Sequence, residues 1–315
     1  MTRSDGGSEM TADGDVFDAR QADGTAPPDE FAARGRWVTV DGLRIFLLDE
    51  GTGFPVLLLH GVPTSAYLWR DVVPVVALTN RALAPDLPGF GYSDKPRDRS
   101  YAVPAQADVV SALLGMLGID RCALVGHDLG ALVAAELIAR EPERYPYLVL
   151  TNTSLRVAGW HGASLLTPLR LPLVGECAMA LARRWMLGLA MRPYLARTSR
   201  LTREALDHYW WPFAHGFKPV LLSMLREGIG SPDDFTRWRA ALAAYPGAAL
   251  IAWGLRDPTF GRDDLDDVRS LLPEATVQAF PNANHFIPED RPLALGRLIA
   301  LFVAGKPIPQ ALPEE

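Results

Sequence analysis

Cysteine is nearly absent. Two residues in 315, Cys122 and Cys177, cannot build a disulfide framework, so a reducing compartment is expected, read as the cytoplasm. Cys122 lies in an apolar run and reads as a buried free thiol. Uninterrupted apolar runs of the roughly 20 residues needed to span a bilayer are also missing. There is no basic excess either. The 31 Lys and Arg face 37 Asp and Glu, a net charge of −6, which gives no reason to expect a nucleic acid or a membrane surface as partner. The six histidines show no His-x-His or i,i+4 pair. A metal site from His60, His127 and His285 is therefore a poor reading, and no metal or cofactor is expected. Large apolar side chains are scarce in the first thirty or so residues. Met1–Glu30 is mostly Asp, Gly, Ser, Thr and Ala and lacks the apolar core of a secretory signal. Residues 1–33 are read as a disordered acidic tail.

What is present is an ordinary globular composition, 49% hydrophobic and 22% charged. Trp37–Val40 and Arg44–Leu48 are joined by Asp41-Gly42, a hairpin signal. Pro55–Gly61 is a continuous apolar run ending in glycine, as expected of a strand covered on both faces. Further strands are expected at Arg81–Asp86, Cys122–Val125 and Tyr147–Asn152. Helices are expected at Thr64–Leu78, bent or ended by Pro74, and at Val103–Leu117. This alternation implies a largely parallel sheet with helices on both faces, an α/β class. The rhythm breaks between Leu155 and Gly230, where Leu, Ala, Met, Trp and Arg recur at helical spacing, and a helical insertion is read there. Strands resume at Ala248–Trp253 and Ala275–Phe280, and a last helix runs from about Arg291 to Val303. The domain reading is a core of residues 34–154 and 231–306, a cap of 155–230, and a C-terminal tail of 307–315.

Gly126-His127-Asp128-Leu129-Gly130 follows a strand and opens a helical stretch, Ala131–Arg140. Small residues two before and two after the central position mark a nucleophile elbow, a strained strand-to-helix turn that presents one side chain. The usual serine is replaced by Asp128. Such a turn needs an acid and then a histidine from later in the chain. Asp257 follows one late strand, in Trp253-Gly254-Leu255-Arg256-Asp257-Pro258, and His285 follows the next, in Asn282-Ala283-Asn284-His285-Phe286. All three would sit beyond the carboxyl ends of strands, where open α/β sheets bind ligands. Two backbone N–H groups, of Val62 and Leu129, complete the set as an oxyanion hole. Singly, Asp257 reads equally well as a turn residue and each histidine as a structural one.

A carboxylate nucleophile points to a saturated carbon bearing a leaving group, because opening an ester would require an anhydride. Displacement puts the alkyl group on Asp128 as an ester. His285 then activates water, the oxyanion forms on Asp128 itself, and Asp257 holds the imidazole tautomer. The two N–H donors are expected to keep Asp128 ionised before attack.

At this point the chain resembles the α/β-hydrolase superfamily and, within it, the haloalkane dehalogenases. The resemblance rests on His60-Gly61-Val62-Pro63-Thr64-Ser65-Ala66-Tyr67-Leu68-Trp69-Arg70, on Asp86-Leu87-Pro88-Gly89-Phe90-Gly91-Tyr92-Ser93-Asp94, on Gly126-His127-Asp128, on Trp253-Gly254 with Asp257-Pro258, and on His285-Phe286 with Glu289-Asp290. It implies the α/β-hydrolase fold with an inserted cap and hydrolysis of a carbon–halogen bond in a small apolar substrate by water. It implies no cofactor and no protein partner. One subfamily places its acid after the strand that follows the elbow helix; the corresponding position here is near Asn152, so Asp257 fits. In the family a Trp usually follows the nucleophile and an Asn is often found on the oxyanion loop, both as halide donors. Here these positions hold Leu129 and Val62. Trp160, Trp185, Trp210 and Trp211 of the cap are candidate substitutes. Epoxide hydrolases share the aspartate and use cap tyrosines; Tyr194 and Tyr209 are the candidates, with Tyr209 preferred for lining the pocket. A non-catalytic ligand-binding protein on the same fold remains the third reading.

Overall fold

A computed structural model describes residues 29–156, 164–197, 199 and 201–309. Eight strands form one sheet: β1 (Gly35–Val40), β2 (Leu43–Glu50), β3 (Pro55–Leu59), β4 (Arg81–Pro85), β5 (Ala123–His127), β6 (Tyr147–Thr151), β7 (Ala248–Gly254) and β8 (Thr276–Phe280). Their order is β1-β2-β4-β3-β5-β6-β7-β8. β2 runs antiparallel to β1 and β4, and every later pairing is parallel. The central strands are the continuous apolar runs. All five residues of β5 are buried, which requires cover on both faces.

The helices are α1 (Asp29–Ala32), α2 (Val73–Val76), α3 (Val103–Met116), α4 (Leu129–Arg140), α5 (Val174–Leu181), α6 (Arg184–Met191), α7 (Arg203–Ala214), α8 (Phe217–Glu227), α9 (Pro232–Ala243), α10 (Arg262–Leu271), α11 (Ile287–Asp290) and α12 (Pro292–Val303). α3, α4 and α9 pack side by side, as do α2 and α12. The buried Glu136 carboxylate ties α4 to α9. It accepts from Arg140 Nε at 2.7 Å, from Trp238 Nε1 at 2.6 Å and from Arg237. α5 to α9 all lie in the stretch between the neighbouring strands β6 and β7. Among the described residues, no helix is long and apolar enough to cross a membrane.

Two expectations about local structure change. Thr64–Leu78 is not one helix but a short 3₁₀ turn, Ala66–Trp69, followed by α2. Pro74 sits in the first turn of α2, where its missing N–H leaves no bond unmade, so it starts a helix instead of bending one. Second, the expected tail is shorter than residues 1–33. α1 lies within it, and Phe31 is buried against Phe46, Tyr67, Tyr92 and His208. One aromatic ring among polar neighbours is enough to anchor the segment, because packing against four rings outweighs the ordering of a few residues. Residues 1–28 and 310–315, the rest of the expected tails, lie outside the described residues.

The parallel pairings decide where the site falls. His127 pairs with Thr151, Thr151 with Ala252, and Gly254 with Phe280, so the carboxyl ends of β5 to β8 line up along one edge. The residues that follow them, Asp128, Asn152, Asp257 and His285, are thereby gathered from positions up to 157 apart in sequence.

Candidate active site

The turn from β5 into α4 puts Asp128 at φ 54° and ψ −118°, outside the regions an L-residue prefers. The flanking glycines make this turn possible. A Cβ on Gly126 would stand 2.5 Å from Ala131 Cα, and one on Gly130 would stand 2.2 Å from the Leu59 carbonyl oxygen. Strand and helix therefore cross at backbone contact, and the Asp128 side chain is pushed out past the sheet edge.

Its two oxygens meet different partners. Val62 N–H donates to Oδ1 at 2.7 Å, and the Leu129 N–H adds to the pull that favours the charged carboxylate. Oδ2 stands 3.8 Å from His285 Nε2, beyond hydrogen-bond length. Burial pushes the Asp128 carboxyl up to about 6, against the opposing pull of His285 and the two N–H groups. The two N–H groups favour the anion, in the direction expected, but desolvation is the larger influence, because the carboxylate is almost fully shielded from water.

His285 Nδ1 lies 2.8 Å from Asp257 Oδ2. A carboxylate only accepts, so Nδ1 carries the proton and Nε2 presents its lone pair toward Asp128. Asp257 Oδ1 accepts from the N–H groups of Thr259 and Phe260 at 2.8 and 3.1 Å. Burial alone would raise the Asp257 pKa, but the His285 charge and these bonds hold it below the usual carboxylate range. Burial works against a charged His285, yet Asp257 and then Asp128 more than offset it, and its pKa is raised.

Asn152 escaped the sequence reading as a functional residue, having been considered only as a missing carboxylate. Its Nδ2 donates to Asp257 Oδ2 at 2.8 Å and to the Gly254 carbonyl at 3.2 Å, while its Oδ1 accepts from Gly254 N–H at 2.8 Å. It therefore clamps the end of β7 and aims the acid. Its place at the end of β6 becomes informative only once β6 is paired with β7.

The other described histidines have structural partners. His60 donates from Nδ1 to the Gly61 carbonyl and accepts at Nε2 from Leu87 N–H, both at 3.0 Å, which ties the loop bearing Val62 to the end of β4. His127 shares a hydrogen bond with Thr151 Oγ1 at 3.0 Å. His208 shares one with the Tyr92 hydroxyl at 3.0 Å and stacks on Tyr67. Among the described residues, no group of three or more His, Cys, Asp or Glu is arranged to hold a metal ion.

The cap tyrosines exchange places relative to expectation. The Tyr209 hydroxyl donates to Glu289, which also holds Arg70 in a bidentate pair at 2.5 and 2.9 Å, so Tyr209 is occupied away from Asp128. Tyr194 is the one beside the site, its ring 6.0 Å from that of His285. Of the candidate tryptophans, Trp185 is 63% exposed. Trp210 stacks on Phe213, Trp211 packs on Tyr92 and His215, and Trp160 lies outside the described residues. None of the three described supplies an N–H to Asp128.

The model of the alpha/beta hydrolase fold family matches residues 55–292. The chain is 28% identical over 275 residues to haloalkane dehalogenase 2 of Mycobacterium tuberculosis, covering 86% of this chain and 95% of that protein. It is 30% identical over 294 residues to a cis-3-alkyl-4-alkyloxetan-2-one decarboxylase of Xanthomonas campestris, covering 85% and 94%. The crystal structure of haloalkane dehalogenase DbeA from Bradyrhizobium elkani superimposes with a TM-score of 0.75 at 31% identity, covering 86% of this chain and 97% of that one.

Proposed function

This chain belongs to the alpha/beta hydrolase fold family, and from that premise we propose that it hydrolyses the carbon–halogen bond of a small apolar haloalkane through an alkyl ester on Asp128. The observation that carries the proposal is the seating of the Asp128 carboxylate: Oδ1 on the Val62 N–H, and Oδ2 toward a His285 that Asp257 has locked in one tautomer.

In the first step Oδ2 attacks the carbon and the halide departs with the bonding pair. No base is needed, only the anion. In the second, water adds to Cγ of the ester while His285 Nε2 takes its proton. The negative charge develops on Oδ1, already hydrogen-bonded by Val62 N–H, so the donors need no rearrangement. Collapse breaks the bond between Cγ and the alkyl oxygen. His285 returns the proton to that oxygen, the alcohol leaves carrying the former Oδ2, and Asp128, which now holds the water's oxygen and second proton as a carboxylic acid, releases that proton to solvent to become a carboxylate again. Alkylation itself prepares His285, because neutralising Asp128 removes one of the charges that raise the histidine's pKa. Asn152 acts through Asp257 as a positioning residue.

A second reading, opening of an epoxide by the same aspartate, is favoured by Tyr194 beside His285 and by the lack of a side-chain N–H at positions 62 and 129. One experiment separates the readings. His285→Gln is incubated with 1-bromohexane, 1,2-dibromoethane or styrene oxide, and its intact mass is measured. A bromoalkane adduct mapped to Asp128 supports dehalogenation, and an adduct from styrene oxide alone supports epoxide opening. No adduct from any of the three overturns both and leaves the ligand-binding reading.

A further inference from the structure

The net charge of −6 averages over two unlike regions. Arg170–Arg203 holds seven arginines and one carboxylate, Glu176, leaving 24 basic against 36 acidic side chains in the rest of the chain. Two carboxylates do meet cations here: Glu176 pairs with Arg226, and Asp207 with Arg184. Arg183, Arg192, Arg197 and Arg203 have no carboxylate within salt-bridge distance among the described residues.

The same stretch holds most of the apolar surface that the fold leaves uncovered. Seven large apolar side chains are more than half exposed among the described residues, and five of them, Leu171, Leu173, Leu181, Trp185 and Leu189, fall here. Leu173 is 78% exposed. α6 buries Leu187 and Met191 and turns Trp185 and Leu189 outward, with Arg192 next at the same helical spacing. α5 turns Val174 and Leu181 outward. Exposed large apolar side chains concentrated in one segment mark an interaction surface, and cationic side chains around Leu and Trp are the pattern of helices that lie in a lipid interface.

We propose that the exposed faces of α5 and α6 form a docking surface for an anionic phospholipid bilayer, on which the protein rests without crossing it. Acyl chains match the leucines and Trp185, and anionic headgroups match the arginines. Past α6 the chain enters an open cleft of about 570 Å³ lined by Arg192, Pro193, Leu195, Ala196, Arg197 and Asn284. Asn284 donates to the Pro193 and Leu195 carbonyls at 3.1 and 2.8 Å, and it directly precedes His285. The docking face is therefore joined to the candidate site by the segment that carries Tyr194. An apolar substrate would be concentrated in the same bilayer.

Other occupants fit less well. A second copy meeting through this face would bring one cationic patch against another. The chain's own first 28 residues carry six acidic side chains and two arginines, which match the charge, but they offer few large apolar groups to cover the leucines.

The test is sedimentation of the full chain with vesicles of phosphatidylcholine, alone or with roughly one quarter phosphatidylglycerol, at about 0.1 M salt. Binding is expected to be at least about tenfold tighter to the anionic vesicles and to weaken as salt is raised. A Leu181→Glu/Trp185→Glu/Leu189→Glu variant is expected to lose at least about tenfold in binding with an unchanged melting temperature, since those side chains are exposed. Arg183→Glu/Arg192→Glu, a change of charge alone, is expected to weaken binding to the anionic vesicles only. Four results overturn the proposal: no binding by the full chain, equal binding to both vesicles, binding that appears only after removal of residues 1–28, or a concentration-dependent dimer that the triple variant abolishes.

Discussion

Asp128→Asn should make the protein more stable at neutral pH, by an amount that vanishes in acid. The wild-type carboxyl holds its proton up to about 6 in the fold, against 3.8 as its ordinary value. Between these values the folded state binds more protons than the unfolded state, so stability falls as pH rises through this window. The sign is the reverse of that for a salt-bridged aspartate such as Asp257, whose pKa is lowered. The gap corresponds to about 3 kcal/mol above pH 7 and to roughly half of that at pH 5. Asparagine keeps an oxygen for the Val62 and Leu129 N–H groups and removes the ionisation.

For a folded unit of this size, about 3 kcal/mol is a rise of roughly 5 °C in Tm. The assay is thermal unfolding of both proteins from pH 4.5 to 8. Asp86 is also buried and pushed up to about 6, and Asp290 is raised, so each protein alone loses stability over the same range. The difference between the two curves cancels these shared contributions. A difference that stays constant with pH, or a variant less stable than wild type at pH 7, would refute the reasoning that burial dominates at Asp128.

Three other expectations follow from named contacts. Asn152→Ala leaves Asp257 one hydrogen bond short, strands the Gly254 N–H and leaves the Gly254 carbonyl only the Asp257 N–H at 3.4 Å. A loss of about 1–3 kcal/mol in stability and roughly tenfold in kcat, with KM unchanged, is expected from steady-state kinetics and unfolding, and an unaltered kcat would remove Asn152 from the site. Leu129→Trp adds an indole N–H beside the leaving group. If dehalogenation is limited by that missing donor, kcat/KM on 1-bromobutane should rise by about tenfold or more, even though overpacking a fully buried position costs roughly 1–3 kcal/mol in stability; no gain would mean that the donor is not limiting. Deleting residues 1–28 should leave Tm unchanged, whereas Phe31→Ala should cost about 3 kcal/mol, and equal effects of the two changes would contradict the packing of α1.

Much of this protein could be read along the chain because the signals are local. The apolar runs of β3 to β7 are continuous because those strands are covered on both faces. Glycines at positions 126 and 130 are needed because backbone meets backbone at the elbow, whatever lies beyond. The order of Asp128, Asp257 and His285, each just after a strand, brings them to one edge once the strands run parallel. Ser231-Pro232-Asp233-Asp234 was an equally local helix start, the capping box of α9, and it went unread.

Other features were decided only by the tertiary structure. Asn152 had no signal of its own until β6 was placed beside β7, which turned an apparent gap in the carboxylate pattern into the clamp on Asp257. Tyr194 and Tyr209 are indistinguishable in sequence; Glu289, held by Arg70, takes one hydroxyl, and the chain's path past Asn284 brings the other ring to His285. The ionisation of Asp128 depends on how much water reaches it, a property of every residue packed around it. The charge of the cap disappeared into a whole-chain sum, and its apolar face into a helical pattern that looked like ordinary core. Exposure belongs to a surface assembled from distant parts of the chain, and no window of sequence contains it.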